Sequence, residues 1–148
     1  MKNSEEELAA ALRAADVVIS YAPLSDEPDA ETFLSRHGFL GEVIRTPTDK
    51  DSSAQEFAEL LARNHGNKNV CVLVPGRKFD REGTRHGRGG GWYDRFLSAI
   101  PKNWTKIGLA LPHHVSSEKL ERKEWDHPMD YILVCDSDFK VVVPEKKL

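Results

Sequence analysis

Apolar and polar positions along the chain repeat at two periods. In residues 4–15 (SEEELAAALRAA), Leu8, Ala11, Leu12 and Ala15 recur at helical spacing and share a face. Ser4 with Glu7 three positions later is a capping-box pattern for the helix start. Residues 16–22 (DVVISYA) are mostly apolar and β-branched, so they predict a buried strand. Asp29 is placed to cap a short helix running to about Ser35, with Gly38 just past its end. Phe39 to Ile44 predict a second strand. Ser52 or Ser53 then caps a helix carrying Phe57, Leu60 and Leu61, with Gly66 after it. Val70–Val74 (VCVLV) form a continuous apolar run, as expected of a strand covered on both faces. A Gly-rich basic loop occupies 75–91, and a helix starts near Trp92 with Phe96, Leu97 and Ile100 toward the core. Ile107–Leu111, Tyr131–Cys135 and Phe139–Val143 complete the strands. This alternation predicts an α/β fold, a three-layer sandwich with a mostly parallel central sheet. No internal repeat or linker interrupts it, so residues 1–148 are expected to form a single domain.

Composition narrows the class. The chain has 148 residues, of which 39% are hydrophobic and 30% charged, the profile of a globular rather than a disordered chain. No run of about 18 apolar residues is present, so no membrane-spanning helix is expected. No basic-apolar-small pattern stands at residues 1–30, so no secretory signal is expected. Cys71 and Cys135 each sit in an apolar run and are expected to be reduced core residues of a cytoplasmic protein. The net charge of −3 argues against general nucleic-acid binding.

The charge is unevenly distributed. Residues 77–95 (RKFDREGTRHGRGGGWYDR) hold six Lys/Arg against three acids, and five of the ten glycines. The loop is thus +3 in a chain whose remainder is −6. It follows a strand and leads into a helix, where open α/β sheets bind ligands. Gly89-Gly90-Gly91 at the helix start make a cradle for phosphate, and Arg85 and Arg88 are suited to bidentate contacts with an anion. The run is neither a Walker A motif nor a dinucleotide GxGxxG. Trp92 and Tyr93 offer flat surfaces to a purine or pterin ring, or pack in the core. The plain alternative for the whole segment is a surface hairpin with solvated arginines. His113-His114 follow a strand end without a Cys or acid to complete a zinc spacing, so a surface position is expected of them rather than a metal site.

Pro75, Gly76, Phe79, Asp80, Gly83, Arg85, Gly87, Gly89, Gly91, Tyr93, Asp94 and Leu97 stand in register with a long signature. By these residues the chain resembles the 5-formyltetrahydrofolate cyclo-ligases (methenyltetrahydrofolate synthetases). Trp92 replaces the first tyrosine of that signature. Residues 22–29 (APLSDEPD) resemble the family's folate-contacting loop, and 124–130 (EWDHPMD) its C-terminal acidic stretch. The resemblance runs from about Asp16 to Val143 and implies the sheet architecture of the cyclo-ligase and CoA transferase-like fold group.

The resemblance also implies an activity: ATP- and Mg²⁺-dependent conversion of 5-formyltetrahydrofolate to 5,10-methenyltetrahydrofolate. The γ-phosphoryl group goes to the formyl oxygen, N10 attacks, and phosphate leaves. Carried over residue by residue, ATP falls to Arg85, Gly87, Arg88, Gly89, Gly90, Gly91, Trp92 and Tyr93. Arg88 and Tyr93 take catalytic roles. The folate falls to Ala22, Glu27 and Trp92, and Mg²⁺ to Asp94 and Asp126. Each acid also has a plainer reading: a first-turn helix acid for Asp94, a loop cap for Asp126 and a solvated loop acid for Glu27.

Three features depart from the family pattern. The family's N-terminal helix is rich in Lys and Arg, whereas Ser4–Ala15 carries Arg13 alone, preceded by Lys2, and corresponds better to the second helix. Residues 36–68 lack an insertion that helps enclose the folate. Arg77-Lys78 replace a small or apolar pair. A second expectation follows, that of a non-catalytic or repurposed family member binding a nucleotide, folate or phosphorylated metabolite. An RNA-binding role for the basic loop is a third, with one short +3 segment as its footprint.

Overall fold

A computed structural model describes residues 4–49, 52–124, 126–135 and 139–144. Lys2 and Trp125 lie outside these residues. The elements are α1 (Ser4–Ala14), β1 (Val17–Ser20), α2 (Ala30–Arg36), β2 (Glu42–Arg45), α3 (Ala54–His65), β3 (Val70–Val74), β4 (Lys78–Phe79), β5 (Arg85–His86), α4 (Trp92–Ala99), β6 (Thr105–Ala110), a 3₁₀ turn (Pro112–His114), β7 (Tyr131–Val134) and β8 (Lys140–Val143).

Six strands form one sheet in the order β2-β1-β3-β6-β7-β8, with all neighbours parallel except the antiparallel β7–β8 pair. Alternation along the strands divides the core into two faces. Val17, Ile19, Val70, Val72 and Val74 pack with Ala58 and Leu61 of α3 and with Trp92 and Phe96 of α4. Val18, Cys71, Leu73, Ile107 and Leu109 pack with Leu8 and Leu12 of α1 and with Phe33 and Leu34 of α2. The result is the expected three-layer sandwich, and both faces of β3 are covered, as its unbroken apolar run required. Cys71 is a free, buried thiol, pushed up to about 12 by burial.

Local signals set most boundaries. Asp29 caps α2 by accepting from the N–H groups of Glu31 and Thr32, and Ser53 caps α3 by accepting from that of Glu56. At the end of α2, Gly38 N–H donates to Ser35 O and Phe39 N–H to Leu34 O, a Schellman closure. Phe39 therefore belongs to the helix exit, and β2 begins only at Glu42. Ser4 is the first residue of α1, and its hydroxyl donates to the Pro144 carbonyl at 2.9 Å rather than forming the expected capping box.

The β4–β5 hairpin has no period-2 signature and was not expected as strands. Its turn is organised by Asp80, whose Oδ1 accepts from the N–H groups of Glu82 and Thr84, both at 2.9 Å. Oδ2 accepts from Leu120 N–H at 2.8 Å and ties the hairpin to the segment before β7. Phe79 is fully buried against Gly108 of β6, where a side chain would place its Cβ 2.6 Å from the ring. Only glycine allows that approach.

Burial alone would raise the Asp80 carboxyl, but the N–H groups of Leu120, Thr84 and Glu82 outweigh it and hold it below its ordinary 3.8. A depressed folded value gives stability that is full above the unfolded value and lost as pH falls through the folded one. Asp80→Ala should therefore cost about 3 kcal/mol at pH 7 by leaving buried N–H groups unpaired. The gap to wild type should narrow below pH 4. Urea denaturation at pH 7 and pH 3 checks this; an equal loss at both would show that the carboxylate charge is immaterial.

Candidate active site

Three parallel strands deliver their carboxyl ends to one cleft. Tyr21 to Leu24 and Glu27 follow β1, Thr46 to Thr48 follow β2, and Pro75 to Arg77 follow β3. The chain turns from β1 outward to β2, and from β3 the other way to β6, so the cleft lies at a topological switch point. Its volume is about 750 Å³. The opposite wall is the Gly-rich segment Gly87–Gly91 with the start of α4, and Glu121, Lys123 and Asp126 close one side.

The start of α4 leaves its N–H groups open to the cleft. Gly91 occupies the N-cap with φ +71°, and no side chain caps the helix. Gly89 is also at positive φ, and space is open where side chains would stand at Gly89 and Gly90. The helix thus presents its positive end to the cleft, flanked by backbone that a ligand can approach closely.

The two arginines expected at this site differ. Arg85 is buried: its Nε donates to the Pro75 carbonyl at 2.6 Å, and its guanidinium lies 4.9 Å from the Tyr93 ring centroid. Nη1 is 3.9 Å from Asp94 Oδ1, and burial lowers the pKa of the group. It forms part of the cleft wall. Arg88 reaches across the mouth instead. Nη2 pairs with Asp26 Oδ2 at 2.8 Å, and Nε donates to Glu27 Oε2 at 3.2 Å. This hydrogen bond and charge hold the exposed Asp26 carboxyl below its usual range.

Glu27 is not a solvated loop acid, since its side chain is only 6% exposed. Oε1 accepts from Leu24 N–H at 2.9 Å, fixing its own loop, while the Tyr21 hydroxyl donates to Pro28 O at 2.8 Å. Asp94 is partly exposed at the cleft. Asp126 also lines the cleft while accepting from Lys123 N–H at 2.7 Å, so its loop-cap reading and its site position coexist. Among the described residues no cluster of three His, Cys, Asp or Glu could hold a metal alone. Two carboxylates in one cleft fit Mg²⁺, which takes one or two such ligands with phosphate oxygens and water.

A scan against protein-family models matches residues 54–135, more than half of the chain, to the 5-formyltetrahydrofolate cyclo-ligase family. The chain belongs to that family. A 5-formyltetrahydrofolate cyclo-ligase of Mycoplasma genitalium is 33% identical over 66 residues, which span 45% of this chain and 38% of that protein. Two solved structures share the fold. A 5,10-methenyltetrahydrofolate synthetase from Mycoplasma pneumoniae superposes with a TM-score of 0.59 at 19% identity, covering 86% of this chain and 80% of its own. The Aquifex aeolicus 5,10-methenyltetrahydrofolate synthetase gives 0.58 at 22% identity, covering 99% and 88%.

The residues to which the resemblance assigns ligand roles line the same cleft: Ala22, Glu27, Arg85, the run Gly87–Asp94, and Asp126. The open question about the aromatic pair resolves toward the core for both members. Trp92 is 4% exposed, stacks on Phe96 at 5.2 Å and donates its indole N–H to Ser52 O, so its ring is not the exposed platform expected for a purine or pterin. The Tyr93 hydroxyl lies 3.2 Å from Thr46 Oγ1, and burial pushes it up to about 12. At neutral pH it holds its proton, so the hydroxyl can donate as well as accept.

Sequence reasoning missed Thr46, Thr48, His86, Glu121 and Lys123 as cleft residues. No motif marks them; they arrive through strand order and through the His86 Nε2 contact to Glu121 O at 2.7 Å. The histidine pair was also misread in part. His114 is buried, with Nδ1 accepting from Leu111 N–H at 3.2 Å, so it closes its own turn rather than facing solvent. No helix among the described residues is long and apolar enough to cross a membrane.

Proposed function

We propose that this chain converts 5-formyltetrahydrofolate to 5,10-methenyltetrahydrofolate at the expense of ATP, with ADP and phosphate as the other products. The observation that carries this reading is the convergence of the family's nucleotide, folate and metal positions on one cleft. In it, the uncapped start of α4 and the N–H groups of Gly89–Gly91 receive the phosphates, and Arg88 neutralises charge as the phosphoryl group moves. Tyr93, with its proton retained, orients the reacting oxygen by donation. Glu27 accepts hydrogen bonds from the pterin edge, and Ala22 borders the ring. Asp94 and Asp126 would hold Mg²⁺, which supplies charge neutralisation on the triphosphate when bound. The reading includes a cytoplasmic location, where ATP and reduced folates meet.

Incubation of the protein with 5-formyltetrahydrofolate, ATP and Mg²⁺ should generate the methenyl chromophore. Absence of product together with ATP-induced thermal stabilisation would favour a family member that binds without closing the ring. That second reading draws on Arg88, which is already committed to Asp26 and Glu27. Asp94→Asn should raise the Mg²⁺ concentration needed for half-maximal turnover, and for Mg²⁺-enhanced ATP binding in calorimetry, by about ten-fold. Unchanged Mg²⁺ titrations would remove Asp94 from the metal site.

A further inference from the structure

We propose that Arg77 is an additional nucleotide-phosphate contact of this cleft, an inference that rests on the functional reading above. Four cations with a full side-chain charge line the cleft: Arg77, Arg85, Arg88 and Lys123. Arg85 is held by Pro75 O and Asp94, Arg88 by Asp26 and Glu27, and Lys123 by Glu121. Arg77 is exposed and has no side-chain partner among the described residues. An incoming anion can therefore pair with it without first breaking an internal ion pair.

Its position in the hairpin selects the anion. Arg77 N–H donates at 2.8 Å to the carbonyl of His86, the residue paired with Lys78, which fixes Arg77 at the open end of the hairpin, where β5 leads into Gly87. Arg77 and the run Gly87–Gly91 line one cleft, and the His86 carbonyl that Arg77 contacts leads directly into that run. Lys78 is exposed and does not line the cleft. Two adjacent cations of the same sequence pair thus receive different roles: Arg77 serves the phosphates, and Lys78 lies outside the cleft.

The test compares wild type, Arg77→Ala and Lys78→Ala in calorimetric titrations with Mg-ATP, ADP and AMP, and in turnover with each substrate varied. Arg77→Ala should weaken ATP binding about ten-fold, through loss of one charge-assisted contact. KM for ATP should rise, while kcat and KM for the folate stay within two-fold. Lys78→Ala should leave ATP binding unchanged. An Arg77→Ala protein that binds ATP as wild type does overturns the inference alone, as does a loss confined to the folate, which would assign Arg77 to the substrate's carboxylates. A wild type that binds no ATP overturns the functional reading and this inference with it. Equal thermal midpoints of the three proteins keep a folding defect from imitating the expected result.

Discussion

Arg88→Ala should lower ATP-dependent turnover about a hundred-fold, with little change in thermal stability. Loss of one preorganised charge at a phosphoryl-transfer site is a loss of that size. The stability term is small because the Asp26 pair has both side chains more than a third exposed, and because Glu27 keeps its hydrogen bond from Leu24 N–H and opens onto the cleft. The same substitution takes away the partner of Glu27, whose carboxylate is otherwise covered. KM for the folate should therefore shift as well as kcat. Arg88→Lys keeps the charge but not the planar fork that spans two acids, so it should recover only part of the activity. Steady-state kinetics with each substrate varied separates these effects. An Arg88→Ala enzyme within two-fold of wild type would remove this residue from the chemistry.

Phe79→Ala should cost about 3–5 kcal/mol of folding stability, a large part of the total for a domain of this size. Phe79 is fully buried and closes against Gly76 and Gly108. Its carbonyl also accepts from Ser116 N–H at 2.7 Å, and it forms a parallel bridge to Val115. The ring is therefore the plug by which the hairpin, and with it Arg77, Arg85 and the glycine run, is fastened to β6. Phe79→Leu should lose far less, since most of the volume is kept. Urea unfolding of both variants checks this. A loss below 1 kcal/mol for the alanine variant would mean that the hairpin is held by Asp80 and the 116–122 segment instead.

The two results bear on different levels. Arg88 acts in the cleft and touches little else, whereas Phe79 touches no ligand and decides where the cleft wall stands. The same division separates what could be read along the chain from what could not. Asp29 and Ser53 announced their helices because a cap is a contact with a neighbour two or three residues away. Val70–Val74 announced a central strand because burial on both faces leaves no polar position. The Gly-rich family motif was legible because its glycines, arginines and acid keep fixed spacing within 23 consecutive residues, 75–97.

What escaped the sequence was decided at a distance. Arg88 meets Glu27 across 61 residues, and Tyr93 meets Thr46 across 47. Trp92 sits beside Tyr93 in the motif, yet its ring stacks on Phe96 and packs tilted against Phe57. No local pattern states that Glu27 is covered, that Arg85 is spent on the Pro75 carbonyl, or that Arg77 lines the cleft while Lys78 does not. By itself the sequence determined the main helices and the strands of the central sheet, their order and the family motif of the Gly-rich loop, because periodicity, capping and motif spacing are local properties. Only the tertiary structure decided which charges meet, which aromatics are exposed and which cation is left for a ligand. Those outcomes depend on the order of strands in the sheet and on desolvation by neighbours from elsewhere in the chain.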